Sequence, residues 1–202
     1  MRGLEILYDD FYELEPNDYY GIIKFYESNI LILENKSSFK DKADFEEFIL
    51  LQCQYIISLE KTGKYRKTIS KAEMVIQLLD NNSKTYNIDL NIYTTYWSIL
   101  TSKGRAFYNL KDYKNSIPIF ERLIEWDSDN DNFKNWLNAS KSEKRNLINK
   151  YLYSLAFILF IVSFILESRE IKGILMILGF IIAFTGTINE YFGDKIILWL
   201  RK

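Results

Sequence analysis

Few side chains in this sequence belong to the types that carry out catalysis. The chain of 202 residues contains no histidine and one cysteine. This composition excludes histidine-based triads, histidine general bases, cysteine-rich metal sites and an intrachain disulfide. The cysteine, Cys53, lies in an apolar stretch with helical character, so a buried structural thiol is a better interpretation than a nucleophile.

The paired carboxylates in this sequence are adjacent residues, and this spacing is not the one expected of acid–base partners. Asp9–Asp10 and Glu46–Glu47 are adjacent pairs, and adjacent residues on a helix point to different sides. The acidic run 127–132 resembles a calcium loop superficially, but it lacks the glycine and the distal glutamate of an EF-hand. The Walker loop, GxSxG and CxxC patterns are also missing from the sequence. We therefore expect no enzymatic activity, no cofactor and no metal.

The densest group of cations lies within eleven positions of the chain. Its members are Lys61, Lys64, Arg66, Lys67 and Lys71. Such a cluster could contact phosphates or anionic lipid. The sequence favours a solvated helix start, with the anion contact as the alternative.

Two uncharged apolar runs near the C-terminus predict a membrane hairpin. The runs cover residues 151–166 and 173–188, and a polar turn separates them. Each run is roughly 24 Å long as a helix, so spans of about 149–167 and 171–190 are needed to approach a hydrocarbon core of about 30 Å. Both runs are apolar all round, whereas a helix on the surface of a soluble domain keeps a polar stripe. A buried hairpin inside a soluble protein is the alternative.

The charges predict the orientation of this hairpin. Residues 1–140 carry 17 Lys and Arg against 22 Asp and Glu, whereas residues 141–202 carry 9 against 5. Seven basic residues flank the outer ends of the hairpin: Lys141, Lys144, Arg145, Lys150, Lys195, Arg201 and Lys202. The connecting turn carries only Arg169 and Lys172. By the positive-inside rule both termini are cytoplasmic, and we expect an integral protein of the bacterial inner membrane. The N-terminal residues turn acidic at once, so no secretory signal is expected.

Small residues within the two spans permit close contact between helices. They are Ser154, Gly173, Gly179, Ala183 and Gly186. We expect them to serve the packing of the hairpin itself, with contact between copies as the alternative. The closing residues 195–202 are predicted to form a short amphipathic segment on the membrane surface.

The sequence pattern predicts an all-α domain over residues 1–148. The membrane hairpin follows over residues 149–202. Apolar residues at helical spacing predict helices near 17–35, 41–62, 64–80, 90–110, 112–127 and 130–148, the last leading into the first span. Ser38 and Asp41, ahead of Phe45, are typical of a capping box.

Three tyrosines mark an internal repeat. When Tyr19, Tyr65 and Tyr113 are aligned, apolar residues recur four, seven and eleven positions later, which traces one face of a helix. These residues are Ile23, Ile69 and Ile117, then Tyr26, Ala72 and Phe120, then Ile30, Ile76 and Ile124.

The third copy resembles a tetratricopeptide repeat (TPR). The positions that match the family pattern are Gly104, Phe107, Asp112, Tyr113, Ser116 and Phe120. The match is good over about 35 residues and loose over about 110, and the copies lie 46 and 48 residues apart instead of the family's 34. Leu123 and Ser128 stand where the family has a small residue and a proline. The resemblance implies a TPR-like stack of helical hairpins in which small residues allow close approach and aromatic residues fill the space between pairs.

By this resemblance, the first helices of the repeats line a concave groove that binds a peptide or a helix. In the third copy the groove positions are Ser98, Thr101, Arg105 and Tyr108. Arg105 and Tyr108 could hold an acidic or aromatic group of the ligand. The resemblance, the missing catalytic motifs and the predicted membrane hairpin together lead us to expect a membrane-anchored scaffold or adaptor that binds a protein partner at the cytoplasmic face.

The alternative function is an oligomeric pore-forming or membrane-disrupting effector of a bacterial defence or toxin system. The spans contain only four hydroxyl side chains that could face a lumen: Ser154, Ser163, Thr185 and Thr187. The expected partners are the lipid bilayer and a protein that the sequence does not identify. A homo-oligomer is left open, and nucleic acid is not an expected partner.

Overall fold

The structure is a computed structural model that describes the backbone of residues 4–200 and the side chains of residues 7–192. Within these ranges the chain forms helices and turns and no strand, so the predicted all-α class is confirmed. The described helices are α1 (Leu4–Tyr12), α2 (Tyr19–Ser28), α3 (Ile30–Glu34), α4 (Lys42–Lys61), α5 (Tyr65–Asn82), α6 (Thr94–Asn109), α7 (Tyr113–Trp126), α8 (Asp131–Ile165) and α9 (Arg169–Leu200). They belong to two compact units, Met1–Leu137 and Asn138–Lys202. The sequence placed this boundary at residue 148, about three turns further along α8.

Each tyrosine that marks the repeat is the first residue of a helix, namely of α2, α5 and α7. Asp18 caps α2 by accepting the N–H of Gly21 at 2.9 Å, and Asp112 caps α7 by accepting the N–H of Asn115 at 3.3 Å. A carboxylate at this position satisfies a backbone donor that the first helical turn leaves unpaired. Lys64 occupies the same position before α5 and provides no side-chain cap.

The turns that precede α5 and α7 have the same backbone design. In each turn one residue adopts the left-handed conformation, Gly63 with φ of 77° and Lys111 with φ of 62°. The next N–H then reaches back to the preceding helix: Lys64 donates to the carbonyl of Leu59 at 2.8 Å, and the equivalent bond after α6 measures 2.9 Å. This pairing is a Schellman motif. The pair α4–α5 and the pair α6–α7 are thus each joined by the same type of turn.

Helix α4 is the centre of the first unit, where it packs against α1, α2, α5 and α6. It can do so because it buries residues around most of its circumference, including Phe45, Ile49 and Ile56. Aromatic rings fill the contacts between helices. The rings of Tyr26 and Tyr55 stack with their centroids 3.7 Å apart.

Two local features differ from the sequence prediction. Helix α1 was not predicted, because its nine residues are too few to show a helical period; its buried residues are Leu7, Tyr8 and Phe11. The cap of α4 is Asp41, which accepts the N–H of Asp44 at 3.0 Å, so Ser38 is not the capping residue. The carboxylate that directly precedes the helix takes this role.

The second unit contains two helices that are long and apolar enough to cross a membrane. Only 17% and 11% of their most apolar segments are buried within the structure, whereas the core helix of a soluble protein would be mostly buried. Large side chains are exposed instead, including Phe157, Phe164, Phe180 and Phe184. The predicted amphipathic segment 195–202 lies outside the described side chains.

Candidate functional site

The four predicted groove residues lie along one face of α6, and all four are partly buried. The two hydroxyl groups in the first half of this face donate to backbone carbonyls of the same helix. Ser98 donates to the carbonyl of Thr94 at 3.1 Å, and Thr101 donates to that of Trp97 at 2.8 Å. These two side chains therefore offer a ligand their acceptor oxygens and little else.

The second half of this face lies against Trp136, on the part of α8 that belongs to the first unit. The guanidinium carbon of Arg105 lies 5.4 Å from the centre of the Trp136 ring, in cation–π geometry. Tyr108 meets the same ring edge to face, with a centroid distance of 5.1 Å. The Nε atom of Arg105 is buried, and none of the described residues accepts a hydrogen bond from it. Arg105, Tyr108 and Trp136 thus form one aromatic–cationic cluster, which we call the Arg105 cluster.

Sequence reasoning missed Trp136 as a member of this cluster. The residue was included in the last predicted helix, but the groove was defined only by positions on α6. A signal was available, because Phe133 and Trp136 are three positions apart and therefore share one face of α8. An apolar face at the start of α8 indicates that this turn packs against the preceding helices.

Three of the five residues in the basic cluster 61–71 lie close to carboxylates. Lys67 contacts Glu27 at 2.6 Å, Lys71 contacts Glu34 at 3.2 Å, and Lys61 lies 3.9 Å from Glu60. Among the described residues, no ion pair is found for Lys64 or Arg66. These two residues line a cavity of about 420 Å³ together with Gly63, Tyr65, Lys67 and Leu110.

The other groups considered for chemistry have structural roles. Cys53 is buried, and this burial raises the pKa of its thiol to about 12, which keeps it protonated and a weak nucleophile at neutral pH. In the acidic run, Asn130 donates to Asp127 at 3.0 Å within the turn that joins α7 to α8, as the prediction of a helix connection requires. Within the described part of the chain no group of three or more Cys, Asp or Glu side chains is placed to hold a metal ion.

The two helices of the second unit meet along a regular seam. A Cβ atom at Gly179 would lie 3.1 Å from the ring of Phe160, and one at Gly186 would lie 2.9 Å from the ring of Tyr153. The two rings are seven residues apart, and so are the two glycines, which is the repeat of left-handed helix packing. The expected use of Gly179 and Gly186 within the hairpin is therefore confirmed. Gly173 has open space around its Cβ position.

Polar side chains close one end of this seam. Asn189 donates to the side-chain oxygen of Asn149 at 2.6 Å, and Tyr153 donates to Glu190 at 2.9 Å. The four hydroxyl groups considered for a lumen all donate to carbonyls of their own helix, at distances between 2.7 and 3.1 Å: Ser154, Ser163, Thr185 and Thr187. Their donors are thus already used.

Comparison with models of known protein families, with curated proteins and with solved structures finds no match to this chain. The resemblance to the tetratricopeptide repeat therefore remains a prediction, as does the stacked architecture that it implies.

Proposed function

We propose that this chain is a membrane-anchored scaffold whose helical unit binds a protein partner at the cytoplasmic face of the bacterial inner membrane. The anchor is the pair of helices α8 and α9, which expose phenylalanine and isoleucine side chains that lipid would cover favourably. The basic residues outside the spans support a cytoplasmic position for both termini.

The observation that carries the binding proposal is the Arg105 cluster. Arginine and aromatic residues dominate the energetics of protein interfaces. Stacking on Trp136 holds the guanidinium of Arg105 in place before a partner arrives, which lowers the entropy lost on binding. A guanidinium group can donate parallel hydrogen bonds to a carboxylate of the partner.

Affinity capture with the full chain in detergent tests this proposal. The wild type should retain the same protein in repeated captures, and the double variant Arg105→Glu/Tyr108→Ala should lose it. The matched control is Arg122→Glu on α7, because the guanidinium of Arg122 also stacks on aromatic rings, 5.4 Å from Tyr96 and 5.7 Å from Trp97. Equal retention by the wild type and the double variant would contradict the assignment of the site.

The orientation can be tested separately by cysteine labelling. In a Cys53→Ser background, Ser38→Cys lies in the first unit and Ser168→Cys lies in the turn between the two spans. A membrane-impermeant maleimide applied to intact cells should label position 168 only. Labelling at position 38 would place the first unit on the opposite side of the membrane.

The pore-forming alternative makes a different prediction for purified protein in liposomes. A scaffold leaves the trapped dye inside, whereas a pore releases it. The hydroxyl groups of the spans donate to their own helices, which supports the scaffold. Release of dye that grows with protein concentration would favour the effector instead.

A further inference from the structure

A cavity of about 420 Å³ opens on the first unit beside the two equivalent turns. One wall is the segment 63–67, which contains the turn before α5 and the start of that helix. The other wall is Leu110, where the turn before α7 begins. Apart from Gly63 and its two chain neighbours, no atom of the described residues lies within 4 Å of the position that a Cβ of Gly63 would occupy, so the space beside this turn is open.

The two turns supply an excess of exposed positive charge. Lys64 and Arg66 line the cavity, Lys111 follows Leu110 directly, and Lys114 lies in the first turn of α7. All four are exposed, and no ion pair to any of them is found within the described part of the chain. Lys64 and Arg66, which line the same cavity, repel one another unless an anion lies between them.

The carboxylates near these turns are fewer than the cations, and they already have partners. Asp112 accepts the N–H of Asn115, and Glu27 lies 2.6 Å from the ammonium of Lys67. Glu60 is only 8% exposed. This face is therefore basic, although residues 1–140 carry more acidic than basic side chains.

We propose that this cavity binds a phosphate-bearing anion through Lys64 and Arg66. The guanidinium group can donate two parallel hydrogen bonds to phosphate oxygens, and the ammonium group adds a mobile point charge. The cavity is a wide, open depression, so a bound phosphate group stays partly in water. The site takes the phosphate of a lipid headgroup or of a soluble phosphate compound, and it does not depend on the scaffold function proposed above.

Calorimetric titration of the full chain with inorganic tripolyphosphate tests the site. The chain is held in maltoside micelles, which contain no phosphate. The wild type should show saturable binding that weakens as salt is added. Lys64→Glu/Arg66→Glu should weaken the binding about tenfold or more, because two charge-assisted contacts are lost. Lys64→Gln/Arg66→Gln should also weaken it, and this variant guards against misfolding caused by the charge reversal.

The matched control is Lys42→Glu/Lys84→Glu, which changes the net charge by the same amount. Both lysines are exposed, and they lie at or just beyond the opposite ends of α4 and α5, about 27 Å along the helices. This control should retain the affinity within about twofold, as expected for screened charges beyond the Debye length. Absence of saturable binding, or equal weakening in the control, would overturn the proposal.

A second measurement distinguishes the two sources of phosphate. The wild-type chain is titrated with tripolyphosphate in nanodiscs of phosphatidylcholine and in nanodiscs that also contain phosphatidylglycerol. Headgroups that occupy the site compete with tripolyphosphate and lower its apparent affinity in the second case. Unchanged affinity assigns the site to a soluble phosphate compound.

Discussion

The side chain of Lys36 is only 5% exposed, and its ammonium group contacts the carboxylate of Asp44. Burial raises the pKa of Asp44, but hydrogen bonds from Lys36 and from the N–H of Lys40 outweigh burial and hold this pKa below its ordinary value. A lowered pKa means that the carboxylate stabilises the fold fully above about pH 4 and that this contribution is lost as the pH falls through the folded-state pKa.

We therefore expect Asp44→Asn to lower the free energy of unfolding by about 2–3 kcal/mol at pH 7, because a buried ammonium loses its partner. The difference from the wild type should narrow below about pH 4. Thermal unfolding of the full chain in detergent at several pH values measures both effects. Glu46→Gln serves as the control, since the Lys42–Glu46 pair is exposed and worth about 0.5 kcal/mol or less. An equal effect of the two substitutions would contradict this account.

The left-handed residues in the two Schellman turns make a second prediction at this scale. Lys111 has a side chain where Gly63 has none, and a left-handed conformation is unfavourable for residues with a Cβ atom. Lys111→Gly should stabilise the chain by about 1 kcal/mol, whereas Gly63→Ala should destabilise it by about the same amount. Chemical denaturation in detergent measures the pair. If Lys111→Gly lowers the free energy of unfolding, the lysine side chain makes a contact that is worth more than the conformational cost that the glycine removes.

At the scale of the elements, the helices that sequence reasoning recovered are those with a clear period. The predicted helices over 41–62, 64–80 and 112–127 differ from α4, α5 and α7 by at most two residues at each end. The predicted 17–35 helix is divided into α2 and α3, because the Asn29 side chain donates to the carbonyl of Phe25 and the helix ends there. The predicted start at residue 90 is four residues early, since 83–93 form an irregular connection.

The contacts of the candidate groove could not be predicted from the sequence in the same way. The spacing of Arg105 and Tyr108 places them on one face of α6, but it does not say which helix covers that face. Trp136 is 31 positions beyond Arg105, so the contact is a property of the tertiary fold. In the hairpin, by contrast, the short turn fixes which residues face each other, and Gly179 and Gly186 were predicted correctly to serve its packing.

The seam of the hairpin gives a prediction at the element scale. Gly179→Leu and Gly186→Leu should each destabilise the hairpin by about 1–3 kcal/mol, since the new side chain would overlap an aromatic ring of α8. Gly173→Leu is the control because its Cβ position is open. Titration of the full chain with SDS in mixed micelles, followed by circular dichroism, measures the helix content. Equal responses of the three variants would show that the seam does not hold the two helices together.

At the scale of the whole molecule, the chain combines a packed helical unit with a pair of helices that expose apolar side chains. The first unit has an aromatic core of the kind found in soluble domains, including the stacked Trp97 and Trp126 rings at 4.7 Å. The second unit buries few of its own large residues. The sequence predicted this division from the change in composition alone.

Insertion into the bilayer can be tested on the full chain. Ile158→Lys/Ile177→Lys places charges on exposed positions near the middle of the spans, at a cost of about 2.5–3.5 kcal/mol each on insertion scales. Ile92→Lys is the control, because Ile92 is also exposed but belongs to the first unit. Alkaline carbonate extraction of membranes should release the double variant and retain the wild type and the control. A wild-type chain released by carbonate would refute the anchor.

Cys53 gives the chain a reporter of its own opening. The thiol lies within the packed first unit, its sulphur is 3.9 Å from the carbonyl of Thr95, and the described structure contains no other free thiol. A small alkylating reagent can reach it only when α4 and α6 separate, so the rate of modification measures the frequency of that event. The rate of local opening in the first unit can thus be measured on the native sequence in an intact membrane, with no engineered label.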